Sequence, residues 1–140
     1  MLSSDKVELK AISDIEAVWP TLIPLLHKMD TINDGKYLLD DIKQQCIDLY
    51  KQLWVAYQAD LPIACAITQI ACYNNGKRLQ IVYLSGQDID QLKQFYKPIA
   101  DWAKTNGCTC TEIYGRQGWK RKLKDWNLTP IYTVYRVDFE

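Results

Sequence analysis

The densest chemistry in this chain lies near its C-terminus, in Tyr114-Gly115-Arg116-Gln117-Gly118-Trp119-Lys120-Arg121-Lys122-Leu123. Two glycines flank an Arg-Gln pair, and a tryptophan and a run of cations follow. Ahead of it, Cys108 to Tyr114 reads as a strand. Behind it, Trp119, Leu123 and Trp126 recur at helical spacing. The first N–H groups of a helix are unpaired and attract anions, so such a strand–turn–helix junction is a candidate anion site. On the strand, Glu112 and Tyr114 offer a carboxylate and a phenol. Alternation puts both on one face with Cys108 and Cys110, and Thr109 and Thr111 on the other. A solvent-exposed or hydrogen-bonded strand residue is the competing reading of Glu112.

The remaining reactive residues form no recognisable constellation. His27 is the sole histidine and lacks a fixed partner, so neither a triad nor a metal site is expected. The five cysteines, Cys46, Cys65, Cys72, Cys108 and Cys110, include no CxxC pair and have no histidine pair to match, so no zinc site is expected. They read as buried free thiols in a reducing cytosol. Asp40-Asp41 and Asp88 with Asp90 are carboxylate pairs that helix starts explain.

These residues must be positioned by a mixture of strands and helices. Val7 to Ile12 alternates as a first strand. Ser13 and Glu16 fit a capping box, and the helix they open should be divided by Pro20 and Pro24. A second helix is expected from about Leu38 to Tyr50. Leu53–Gln58, Ile63–Tyr73 and Leu79–Leu84 form an antiparallel meander, with Asn74-Asn75-Gly76-Lys77 as a hairpin turn. A helix then runs to about Asn106, its core face Ile89, Leu92, Tyr96, Ile99 and Ala103, and Gly107 stops it. Leu79–Leu84, this helix and Cys108–Tyr114 make a βαβ crossover, which requires parallel strands. Pro130 precedes a last strand, Ile131–Phe139. The expected architecture is one α/β domain over residues 1–140, a mixed, mostly antiparallel sheet flanked by helices.

Lys plus Arg and Asp plus Glu both total 17, a net charge of zero that gives no chain-wide attraction to nucleic acid or membrane. The local exception is the basic helix. With Trp119, Leu123 and Trp126 inward, Arg116, Lys120, Arg121 and Lys124 face outward, either as a solvated face or as a contact surface for nucleic acid or a protein partner. No stretch approaches the length of a membrane span, and no apolar leader opens the chain, so a cytoplasmic protein is expected.

The order of elements resembles the fold of the GCN5-related N-acetyltransferases (GNAT). Locally, Ala103-Lys104-Thr105-Asn106-Gly107-Cys108 followed by Gly115-Arg116-Gln117-Gly118-Trp119 is similar to small GNAT-like proteins of phages and prophages. The resemblance implies an acetyl-CoA cleft between diverging strands, with the pyrophosphate turn at Leu84, Ser85, Gly86 and Gln87. Active members carry Arg/Gln-x-x-Gly-x-Gly/Ala there; this chain keeps one glycine and adds Asp88 and Asp90, whose charge repels phosphate. Many members also place a tyrosine as general acid in the last helix, where this chain has Leu123, which transfers no proton; the resemblance then leaves Tyr114 or Tyr132 as the candidate substitute acid and Glu112, in the diverging strand, as the candidate catalytic base. The expectation is therefore a GNAT-like domain, of phage or prophage origin, acting through protein or nucleic-acid contacts. The alternative is an active acetyl-CoA-dependent N-acetyltransferase acting on an amine.

Overall fold

A computed structural model of the chain describes residues 6–27, 38–86, 89–114, 123 and 126–139. Five strands form one sheet in sequence order: β1 (Val7–Ala11), β2 (Gln52–Gln58), β3 (Leu61–Tyr73), β4 (Gly76–Gly86) and β5 (Cys108–Ile113). β1 to β4 pair antiparallel, and β5 lies parallel to β4. The crossover between those last two is α4 (Ile89–Thr105), as parallel pairing demands. Its stop is Gly107 at φ +89°, a conformation that side chains disfavour.

Between β1 and β2 the chain runs through α1 (Ile15–Val18), a 3-10 turn (Trp19–Leu22), α2 (Ile23–Leu26) and α3 (Leu39–Ile47). Pro20 and Pro24 open the second and third of these, so the helix is divided where the two prolines remove backbone donors. The cap of α1 differs from the expected box. Asp14, not Ser13, is the N-cap, and its carboxylate accepts from Ala17 N–H at 3.2 Å. A carboxylate at a helix start also gains from the dipole, which favours Asp14 over the neighbouring hydroxyl.

The sheet is buried on both faces. On one, Ile15, Trp19, Leu22, Leu26, Ile42 and Cys46 pack on Leu53, Val55, Cys65, Ile67 and Tyr83. On the other, α4 sets Phe95, Ile99 and Ala103 against Trp54, Ala56, Ala64, Ala66 and Leu79. The alanines leave room for Phe95, which the periodicity of α4 did not single out. Trp54 meets Trp102 edge-on at 5.3 Å, and its indole N–H donates to Thr68 at 2.9 Å. No described helix is long and apolar enough to cross a membrane.

Two expectations fail, each for a local reason. Register runs Lys77↔Cys108 and then Arg78↔Cys110, so Thr109 is an extra residue in β5. That bulge turns Cys108 into the core beneath α4 and leaves Cys110 exposed, so the two thiols lie on opposite faces. The last strand, Ile131–Phe139, is not part of the sheet; those residues carry no regular structure and are exposed.

Candidate active site

β4 behaves as two strands in one. From Lys77 to Ile81 it is paired on both sides. At Ile81 the pairing with β5 ends, with a final bond from Tyr114 N–H to the Ile81 carbonyl at 3.2 Å. One residue later comes a second bulge, because Thr68 pairs with Ile81 and Ile67 with Tyr83, leaving Val82 unmatched. From Val82 to Gly86 only β3 remains as partner among the described residues. Among the described residues, β4 thus continues past Ile81–Tyr114 without β5, and this outer arm begins with a bulge. Bulges beside diverging strands re-aim backbone groups, and an unpaired strand edge offers N–H and C=O groups to a ligand.

The expected cofactor residues Leu84, Ser85 and Gly86 lie on that arm. Leu84 packs toward α4, while Ser85 is hydrogen-bonded to the Tyr83 phenol, which itself donates to the Leu25 carbonyl on α2. Burial pushes the Tyr83 phenol above its ordinary pKa. Gly86 is exposed at the end of the strand. Gln87, Asp88, Arg116, Lys120, Arg121, Lys122 and Lys124 lie outside the described residues.

Below the Ile81–Tyr114 bond, polar side chains form one chain across β3, β4 and β5. Lys51 donates to Gln69, Gln69 donates to Gln80 at 2.7 Å, and Gln80 donates to Glu112 at 3.1 Å. Arg78 closes on the other Glu112 oxygen at 3.0 Å and stands over the Tyr73 ring at 4.8 Å. The direction of every bond is fixed from the ends, since an ammonium only donates and a carboxylate only accepts. Gln80 is 2% exposed and is the hub. Its amide also reaches the hydroxyls of Tyr73 at 3.0 Å and Tyr114 at 2.8 Å. Sequence reasoning missed Gln80; the available signal was a single amide between Leu79 and Ile81 in an otherwise apolar strand.

The two catalytic candidates are therefore brought together, but in unequal states. Glu112 has both oxygens engaged, by Arg78 and by Gln80, and its side chain is only 12% exposed. Both Glu112 oxygens are thus taken up by partners within the fold. Tyr114 keeps its proton: burial, and after it the neighbouring Tyr132 hydroxyl, raise its pKa well above the ordinary 10.0. It stands at the last β4–β5 hydrogen bond and is about half exposed. Leu123 is completely buried, so the position that resembles the family's acid is a core residue.

On the α4 side, Tyr96 stacks on Trp126 at 4.4 Å and its hydroxyl donates to Thr111 at 3.0 Å, tying α4 to β5 and the C-terminal segment. The void beneath, lined by Leu9, Ala56, Leu84 and Phe95 among others, is apolar and about 20 Å³, room for one water and not for a coenzyme. No three described His, Cys, Asp or Glu residues group into a metal site.

No family model and no curated protein matches the chain. Solved structures do. A ribosomal-protein-alanine N-acetyltransferase from Brucella melitensis superposes with a TM-score of 0.70 at 12% identity, over 96% of this chain and 100% of that one. Glucosamine-6-phosphate N-acetyltransferase from Arabidopsis thaliana gives 0.66 at 13%, over 97% and 100%. A predicted acetyltransferase from Clostridium acetobutylicum, solved with acetyl-CoA, gives 0.63 at 11%, over 95% and 96%. At such identities the likeness speaks for architecture alone. The chain has the GNAT acetyltransferase fold.

Proposed function

We propose that this protein binds acetyl-CoA along the open β4 arm and transfers the acetyl group to an amine, with Tyr114 as the proton donor. The observation that carries the reading is the β4 arm: the β4–β5 pairing ends at Ile81, and past a bulge at Val82 the arm pairs, among the described residues, with β3 alone and runs to an exposed glycine. The residues fit such a ligand. Backbone groups from Val82 to Gly86 would hold the pantetheine chain by strand-like hydrogen bonds, and Gly86 leaves space where the arm ends. Bound acetyl-CoA supplies an activated thioester. Proximity of amine and thioester provides much of the rate, so a strong general base is not required. Tyr114, held protonated, would give its proton to the sulfur as the C–S bond breaks; the proton that the amine nitrogen loses would pass to solvent, from which the half-exposed Tyr114 would regain its own.

Thiol release from acetyl-CoA over a panel of small amines, polyamines and peptide N-termini tests this. Turnover that falls at least tenfold in Tyr114→Phe, with acetyl-CoA affinity unchanged, supports the assignment. Turnover unaffected by that change removes Tyr114 from the reaction.

A second reading follows from Leu123, whose complete burial leaves the family's acid position without a proton. In that reading the domain works through contacts of Arg116, Lys120, Arg121 and Lys124 with an acidic protein or nucleic acid. Its support is that Leu123 and Trp126 turn inward, as the sequence pattern requires if the cations are to face out. Salt separates nucleic acid from the rest, because phosphate contacts weaken steeply with ionic strength. The fold likeness has no bearing on a phage or prophage source.

A further inference from the structure

Gln80 is a buried amide whose direction is not free. The oxygen and nitrogen of an amide have nearly the same shape, so only the neighbours decide which end points where. On the β3 side the Lys51 ammonium, which can only donate, takes the Gln69 oxygen, and the Gln69 N–H therefore turns to the Gln80 oxygen at 2.7 Å. On the β5 side the Glu112 carboxylate, which can only accept, takes a Gln80 N–H at 3.1 Å and is itself held by Arg78 at 3.0 Å. Both ends of the row demand the same orientation. The consequence falls on Tyr114, whose oxygen lies 2.8 Å from the Gln80 nitrogen and must accept from it.

An oxygen that accepts from one side points its own proton to another. Gln80, 2% exposed, supplies its N–H from the buried side, so the half-exposed Tyr114 hydroxyl turns its proton away from the polar row. The same N–H matters more once the proton has left. A fixed donor aimed at an oxygen that gains negative charge stabilises that charge without having to move. Burial of Tyr114 acts the other way, against its ionisation, so a donor to the charged form is what lets the proton go. Two amide hydrogens face three acceptors here, because the Tyr73 hydroxyl also lies 3.0 Å from the Gln80 nitrogen. Tyr73 is the contact that yields when a stronger acceptor forms at Tyr114.

We propose that Gln80 is the positioning residue for Tyr114: it turns the hydroxyl proton outward to the leaving sulfur and holds the phenolate that remains, its amide fixed by Lys51 through Gln69 at one end and by Glu112 at the other. The inference rests on Tyr114 as the proton donor. As the C–S bond breaks, the O–H proton passes to sulfur and the O–H electron pair stays on the phenolate oxygen. Gln80 keeps both of its hydrogens throughout, and solvent returns the proton to Tyr114.

Turnover and KM for acetyl-CoA in Tyr114→Phe, Gln80→Met and the double variant test it, since Met keeps the length of Gln and removes the N–H. Gln80→Met should lower kcat at least tenfold with KM within about twofold, and should add nothing in Tyr114→Phe, because its effect passes through that hydroxyl. Unchanged turnover of the folded fraction, or the same fall in both backgrounds, overturns the proposal and leaves Tyr114 as the acid. Turnover indifferent to Tyr114→Phe instead removes the acid, and the proposal with it. Should Gln80→Met fail to fold, Lys51→Met takes its place in the same cycle: a fall in kcat of about threefold or more only while Tyr114 is present supports the proposal, and no fall overturns it. If no amine is acetylated, the placement is read from protein carrying carbon-13 at the tyrosine ζ position. The Tyr114 resonance, assigned by its loss in Tyr114→Phe, should move in Gln80→Met and in Lys51→Met; a resonance unmoved in both overturns the proposal.

Discussion

The two halves of β4 are neighbours in sequence and opposites in situation. Lys77 to Ile81 has a strand on each side, α4 above and the Gln80 chain below. Val82 to Gly86 has, among the described residues, one strand as neighbour and a bulge at its root. Where backbone groups are all paired, substitution is felt as stability; where they are left open, it is felt in what the protein can hold. The contrast also separates the two reactive residues, because Glu112 is locked into the closed half while Tyr114 stands at the divide with its proton retained.

The sharpest break of that contrast is Leu79→Ala. Leu79 is fully buried in the closed half, and its loss should cost about 2–5 kcal/mol in urea unfolding, with any loss of cofactor affinity following only from unfolding. Gln80→Leu comes next, at about 2 kcal/mol, because Glu112, Tyr114 and Gln69 lose a buried partner together. If Gln80→Leu is neutral, the polar chain is not part of what holds β5 in place.

A pH limb should follow in stability. Burial raises the Cys46 thiol from 9.0 to about 11 and the Cys65 thiol from 9.0 to about 12. Folded-state values above the unfolded ones mean that the stabilisation is complete below about pH 9 and is lost as pH climbs toward 11–12. Lys51, lowered by burial, works against this trend. Denaturation midpoints at pH 8 and at pH 10.5 should show the fall, and Cys65→Ala should shallow it. The smallest stability change belongs to the open arm: Gly86→Trp should stay within about 0.5 kcal/mol, because that position is exposed at a strand end.

Much of this was legible in the sequence. Alternation and the Asn-Gly turn gave the meander, and a strand–helix–strand run compelled the parallel β4–β5 pair. The prolines at 20 and 24 divided the helix as their missing donors dictate. What alternation could not reveal were the bulges, since one extra residue reverses every later side chain. Thr109 therefore separated Cys108 from Cys110, and Val82 opened the cleft unseen. Gln80 was hidden differently, because a buried amide is recognisable only from partners on other strands. Nor does alternation say whether a strand joins an edge, which is why Ile131–Phe139 reads as a strand and yet lies outside this sheet.

The open arm is the central claim, and calorimetric titration of the full chain with acetyl-CoA tests it most directly. The account predicts binding in the micromolar range that Gly86→Trp abolishes while leaving unfolding unchanged. No heat at millimolar acetyl-CoA, or binding indifferent to Gly86→Trp, would contradict it.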